Sequence, residues 1–173
     1  KNEPATFFLG NTAFYKGHID DVYFQKGSSE NIDIDQPALH IPFESSVSNI
    51  GIAELDITTY ITPIYTIIDS KKCVDLTSSY FRISANTSLR ITDNTDFYFE
   101  VDVYPTEDKY HILMCSGATN STTDLCSIAL SSSNEQNIAY IYISPSLSFK
   151  SSNNYNLNQW NKIIVKRNNN TIR

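Results

Sequence analysis

Glycine and charge are both scarce in this chain of 173 residues, with five glycines and only 18% Asp, Glu, Lys and Arg. So few glycines leave no phosphate-cradling loop, and no HExxH or GxSxG pattern occurs. The three cysteines, Cys73, Cys115 and Cys126, have neither metal-ligand spacing nor a CxxC motif. No apolar run approaches the ~18 residues that a spanning helix needs, so membrane insertion is not expected. The net charge of −6 and a pI near 4.9 provide no basic stripe, which argues against a nucleic-acid partner. The nearest approach to one is Lys162, Lys166 and Arg167, within an alternating apolar run where solvent-facing strand positions are expected.

What is present is enough for a core. Hydrophobic residues make up 40% and aromatics 12%, with 11 Tyr and 9 Phe, so the chain is not of the disordered class. Ser, Thr and Asn are abundant and give a surface wetted by hydroxyls and amides. Sequons at Asn86-Thr87-Ser88, Asn120-Ser121-Thr122 and Asn169-Asn170-Thr171 are matches that such a composition produces by chance. Cys115 and Cys126 flank a polar stretch. Two states stay open for them, a disulfide across a hairpin or free buried thiols, and the odd count favours the second.

The dominant pattern is period-2 alternation in short runs separated by Ser, Asn, Asp and Thr clusters. It predicts strands over 6–9, 18–25, 39–44, 66–69, 80–83, 97–104, 111–115, 127–130, 138–143 and 160–167. In FYFEVDVY, Phe97, Phe99, Val101 and Val103 share one face while Tyr98, Glu100, Asp102 and Tyr104 share the other. Residues 50–60 are rich in β-branched side chains and read as extended. The only helical turn expected lies near 93–95. Many strands with polar turns and no helical period predict an all-β fold, an antiparallel sandwich. Residues 27–36 (GSSENIDIDQ) read as a linker before Pro37, and no internal repeat is found.

Three stretches carry a resemblance. FFLGNTAFYKGHIDDVYFQKG (7–27), LHIPFESSVSN (39–49) and the region from YFRIS at Tyr80 to WNKIIVKRNNNTIR at Trp160 resemble laminin-G-like modules. These belong to the concanavalin A-like jelly rolls. The first stretch resembles a module's closing strands, the second its opening strand and the third its middle. Residues 1–29 are therefore expected to be the closing strands of one module and 30–173 most of the next. The alternative is that the N-terminal strands complete a single sandwich with the rest, since first and last strands of a jelly roll lie side by side.

The chemistry expected is that of a binding module. Retaining glycosidases of this superfamily carry two or three acids on one strand with carboxyls ~5 Å apart. Here Glu100 and Asp102 share a face, but no third acid follows, and they read as solvent-face acids, so the chain is expected not to be an enzyme. The resemblance implies a structural calcium between the acid ending the first strand and an Asp of the last, which places Glu44 and Asp20 as ligands; Asp33, Asp35 and Asp56 are further loop acids. Strand alternation points Asp20 and Asp21 to opposite faces, so only one of them would bind. The bland alternative pairs these acids with Lys16 or Lys26. Tyr98, Tyr104, Tyr140 and Tyr142 are the candidate glycan-stacking residues, against the alternative that they brace neighbouring strands. The expected function is a binding or spacer module of a larger extracellular or virion surface protein, contacting neighbouring modules and a glycan or cell-surface receptor. The alternatives are an accessory carbohydrate-binding domain of a polysaccharide-degrading enzyme, or a structural virion component without ligand.

Overall fold

The computed structural model describes residues 5–10, 15–27, 37–91, 95–116, 126–131, 137–144, 147–168 and 171–173. Within them lie fourteen strands: β1 (Ala5–Leu9), β2 (Gly17–Lys26), β3 (Leu39–Ile41), β4 (Ile57–Thr59), β5 (Ile64–Ile68), β6 (Lys71–Asp75), β7 (Phe81–Asn86), β8 (Phe97–Pro105), β9 (His111–Ser116), β10 (Cys126–Ser131), β11 (Ile138–Ser144), β12 (Leu147–Asn154), β13 (Asn161–Asn168) and β14 (Thr171–Ile172). They form two antiparallel sheets of seven strands. Sheet A runs β12-β11-β10-β9-β1-β7-β4, and sheet B runs β14-β13-β8-β2-β6-β5, with β3 also paired to β2. The chain is an all-β antiparallel sandwich, as the alternation predicts. No helix among the described residues is long and apolar enough to cross a membrane.

The N-terminal strands lie inside both sheets. β1 sits between β7 and β9, and β2 has β8 on one side and both β3 and β6 on the other. Phe7 of β1 and Phe24 of β2 meet edge to face across the sandwich, their ring centroids 5.0 Å apart. Their neighbours Leu9, Ile19 and Val22 are fully buried with Phe81, Phe97 and Phe99, so residues before the 27–36 segment supply the middle of the core. Gly17 opens β2 with φ 148, and a Cβ there would lie 2.3 Å from the Tyr104 carbonyl oxygen. Only glycine permits that approach of β2 to β8.

Four strands fall outside the predicted set, for two reasons. β6 (KKCVD) buries the adjacent Cys73 and Val74, of which only Val74 joins the core cluster, and β12 (LSFKSSNN) is mostly polar, so neither shows a clear apolar alternation. β4 and β14 are too short to show a period. Within residues 50–60 only β4 is extended in a ladder; the rest is loop. The one helical turn among the described residues is a 3-10 turn at Thr87–Leu89; the turn expected near 93–95 falls on residues 93 and 94, which lie outside the described residues. The Asn86 side chain accepts from the Ser88 amide and caps that turn, a structural use for one of the three sequons. Arg167 departs from expectation as well. It lies on the core side of β13 with Ile163 and Val165 and is buried, while Lys162 and Lys166 alternate to the other side.

Cys115 stands opposite Ser127, and Cys126 opposite Ser116, so the two cysteines are out of register by one residue. Cys115 is a free thiol, as is the buried Cys73.

A carboxylate and lysine cluster on the outer face of sheet B

Seven apolar side chains of β2 and β8 point inward, leaving their polar residues on the outer face of sheet B. The two strands pair in register from Gly17 opposite Pro105 to Asp20 opposite Asp102, and again from Tyr23 opposite Glu100. Between these points β2 spends one more residue than β8, a β-bulge between Asp20 and Tyr23 with Asp21 at φ 46. The bulge lies where β2 changes neighbour, from β6 at His18–Ile19 to β3 at Val22–Phe24. It cancels the alternation that would send Asp20 and Asp21 to opposite faces. Oxygens of Asp20, Asp21 and Asp102 instead lie within 4.8 Å of one another, a grouping able to hold a metal ion.

Two of these carboxylates are deeply placed: Asp20 is 3% exposed and Asp102 7%. Buried charge requires partners, and lysines from two other strands supply them. The Lys71 ammonium of β6 bonds one Asp102 oxygen and stands 3.5 Å from Asp20 Oδ2. The Lys162 ammonium of β13 bonds Glu100 and stands 3.5 Å from Asp102 Oδ1. The predicted pairings with Lys16 and Lys26 do not form, because those ammonium groups donate to the Thr77 and Thr87 carbonyls. Asp20 Oδ1 and Asp102 Oδ1 are buried without a hydrogen-bond partner.

The charges shift accordingly. Burial, reinforced by the neighbouring Asp21 carboxylate, pushes Asp20 up to about 6 despite Lys71. Burial acts against ionised Glu100 too, but bonds from Lys162 and the Tyr98 hydroxyl outweigh it and hold Glu100 below its ordinary range. Burial also works against the Lys71 and Lys162 ammonium groups. The carboxylates they touch prevail and raise both above the usual lysine range.

Aromatic rings rim the cluster. Trp160 meets Tyr104 edge to face at 5.5 Å, and the Lys71 ammonium lies 4.9 Å from the indole centroid. The indole N–H donates to the Ile68 carbonyl and fixes the ring. Tyr104 also packs against His18 at 6.1 Å. At the other end Tyr23 stacks on His40 at 3.9 Å, and His40 Nε2 is 3.4 Å from Asp21 Oδ1. Tyr23, Tyr98, Tyr104 and Trp160 thus accompany Asp20, Asp21, Glu100 and Asp102 on one surface.

The structure divides the residues expected from the sequence. Tyr98 and Tyr104 belong to this face, whereas Tyr140 and Tyr142 stack on each other at 6.1 Å on β11 of sheet A. Asp20 is in the carboxylate group. Glu44 is not, its carboxylate lying 3.2 Å from Lys72 Nζ. Asp56 is not in the group either; its backbone N–H donates to Ser84 Oγ and its carbonyl accepts from the Ser84 amide, and Asp33 and Asp35 lie outside the described residues. Sequence reasoning missed Asp21, Asp102, Lys71 and Lys162 as parts of one cluster. A signal for the bulge exists: the inward apolar residues Ile19, Val22 and Phe24 are spaced three and then two apart, so one extra residue intervenes at Asp20–Asp21.

No family model, curated protein or solved structure matches the chain.

Proposed function

We propose that this chain is a non-catalytic, laminin-G-like binding module of a larger extracellular or virion surface protein, with the outer face of sheet B as its glycan-recognition surface. The observation that carries this reading is the alternation of aromatic faces with fixed hydrogen-bonding groups: Tyr23, Tyr98, Tyr104 and Trp160 around Asp21, Glu100, Lys71 and Lys162. Sugar rings offer apolar C–H faces that stack on aromatic side chains and hydroxyls that bond to carboxylates and ammonium groups. The non-catalytic reading draws support from the same contacts, since Glu100 and Asp102 are tied to lysines rather than presented as a free acid and base. A glycan array tests the proposal. Trp160→Ala abolishes binding and Tyr140→Ala on sheet A preserves it. A module that binds no glycan, or that binds equally well after both substitutions, refutes it.

A second reading concerns calcium. Asp20, Asp21 and Asp102 offer the oxygen donors a hard cation takes, and Asp20 Oδ1, buried without a hydrogen-bond partner, fits such an ion. The Lys71 ammonium already neutralises part of this site, so an ion competes with it. Melting followed in calcium and in chelator decides: a higher melting temperature in calcium, lost in Asp21→Asn, supports the reading, and an unchanged one ends it.

A further inference from the structure

The edge strand β5 departs from the rest of the sandwich. Ile64 and Ile67 are 57% and 65% exposed, and Tyr60, Ile61 and Tyr65 are exposed beside them. Register with β6 puts Ile64 opposite Asp75 on the outer face, and Tyr65 and Ile67 opposite Val74 and Lys72 on the inner face. Apolar side chains are therefore uncovered on both faces of the strand. Its far edge has no partner strand among the described residues.

Edge strands are ordinarily protected by a charge, a proline or a bulge. The five residues of β5, IYTII, contain no charge and no proline, and their pairing with β6 runs without a bulge. The uncharged stretch is longer than the strand, extending from Ile57 to Ile68 between Asp56 and Asp69, with Pro63 just ahead of β5 rather than within it. The hairpin has a defined turn and an anchor. Asp69 and Ser70 form its turn with φ 52 and 68, and the Trp160 indole holds the Ile68 carbonyl.

We propose that β5 is a self-association edge: two copies of this chain pair antiparallel through β5 about a two-fold axis at Thr66. Their B sheets then join into one continuous sheet. The strand is self-complementary in that arrangement. Ile64 faces the copy's Ile68, Tyr65 faces the copy's Ile67, and Thr66 faces its own equivalent. Residues of like parity meet, so the uncovered inner pair Tyr65 and Ile67 continues into the inner face of the copy. Charge is compatible with this edge as well, because two chains of net charge −6 approach with less repulsion along an uncharged stretch. The contact is isologous and closes at the dimer. A five-residue strand with two flanking apolar side chains falls short of the ~1,000 Å² typical of a stable interface, so the dimer forms in a concentration-dependent manner.

Sedimentation velocity over micromolar to millimolar concentration tests this, with hydrogen exchange as the local readout. Ile67→Lys places a charge at an exposed position and is expected to leave a folded monomer. Ile164→Lys, at an exposed position on β13 across the sheet, is expected to associate like the wild type. The amides of residues 64–68 gain protection as wild-type concentration rises. A wild type that stays monomeric throughout overturns the proposal. So does an Ile67→Lys variant that associates as strongly as wild type, or an equal loss in both variants.

Discussion

Asp20 of β2 and Asp102 of β8 are direct cross-strand partners, and a single ammonium, that of Lys71 on β6, serves both. Two carboxylates facing each other on adjacent strands repel unless a cation or a proton intervenes. Here Lys71 supplies the cation and the raised Asp20 holds the proton below about pH 6. The local stability of sheet B therefore depends on pH.

The sign of that dependence follows from linkage. Asp20 is raised on folding, so the folded state binds its proton more tightly than the unfolded chain. Its stabilising contribution is complete below about pH 4, the unfolded value, and is lost as pH rises through about 6. Asp20→Asn removes the penalty for ionisation. Urea unfolding is expected to show little difference between variant and wild type near pH 4 and a gain on the order of 2 kcal/mol for the variant above pH 7. A gain that is the same at both pH values would contradict the raised Asp20.

Removing the shared cation acts in the opposite direction. Lys71→Met leaves Asp102 buried with only the longer contact to Lys162. The expected loss is about 2–3 kcal/mol, below that of a fully buried pair because Lys71 is partly exposed. The Lys71→Met, Asp102→Asn double variant recovers much of it. A double-mutant cycle by chemical denaturation reads the coupling, and additive losses would show that the pair is not one unit.

Gly17→Ala tests the approach of β2 to β8. The new methyl would sit 2.3 Å from the Tyr104 carbonyl oxygen, on a residue with φ 148. Strain and displacement of β2 together cost about 3 kcal/mol or more. Thermal melting is the measurement, and Gly27→Ala serves as the control because its methyl meets nothing within 4 Å. Both positions have left-handed φ, so the difference between the two variants isolates the steric part.

Phe7→Ala tests the place of the N-terminal strands. Phe7 is fully buried in sheet A and touches Phe24 of sheet B. Truncation is expected to cost about 3–5 kcal/mol. A loss under 1 kcal/mol would mean that β1 is not part of the core in solution.

Much of the fold is legible along the chain because strand alternation is local. FYFEVDVY assigns its inward and outward residues without reference to any other strand, and β8 keeps that assignment from Phe97 to Tyr104. The apolar fraction and the run of polar turns likewise suffice for an all-β sandwich. The candidate site is different in kind. Asp102 reads as a solvent-face acid, and only the arrival of Lys71 from β6 and Lys162 from β13 buries it. Asp21 reads as opposed to Asp20, and only the bulge against β8 brings them to one side. β6 itself has too few inward apolar residues to announce a strand. Local sequence determines which residues turn from water, because that depends on near neighbours and a fixed repeat. Which charges meet depends on register and pairing between strands far apart in the chain, as where Asp20 comes opposite Asp102 and Lys162 opposite Asp102, and those arise only when the sheets close.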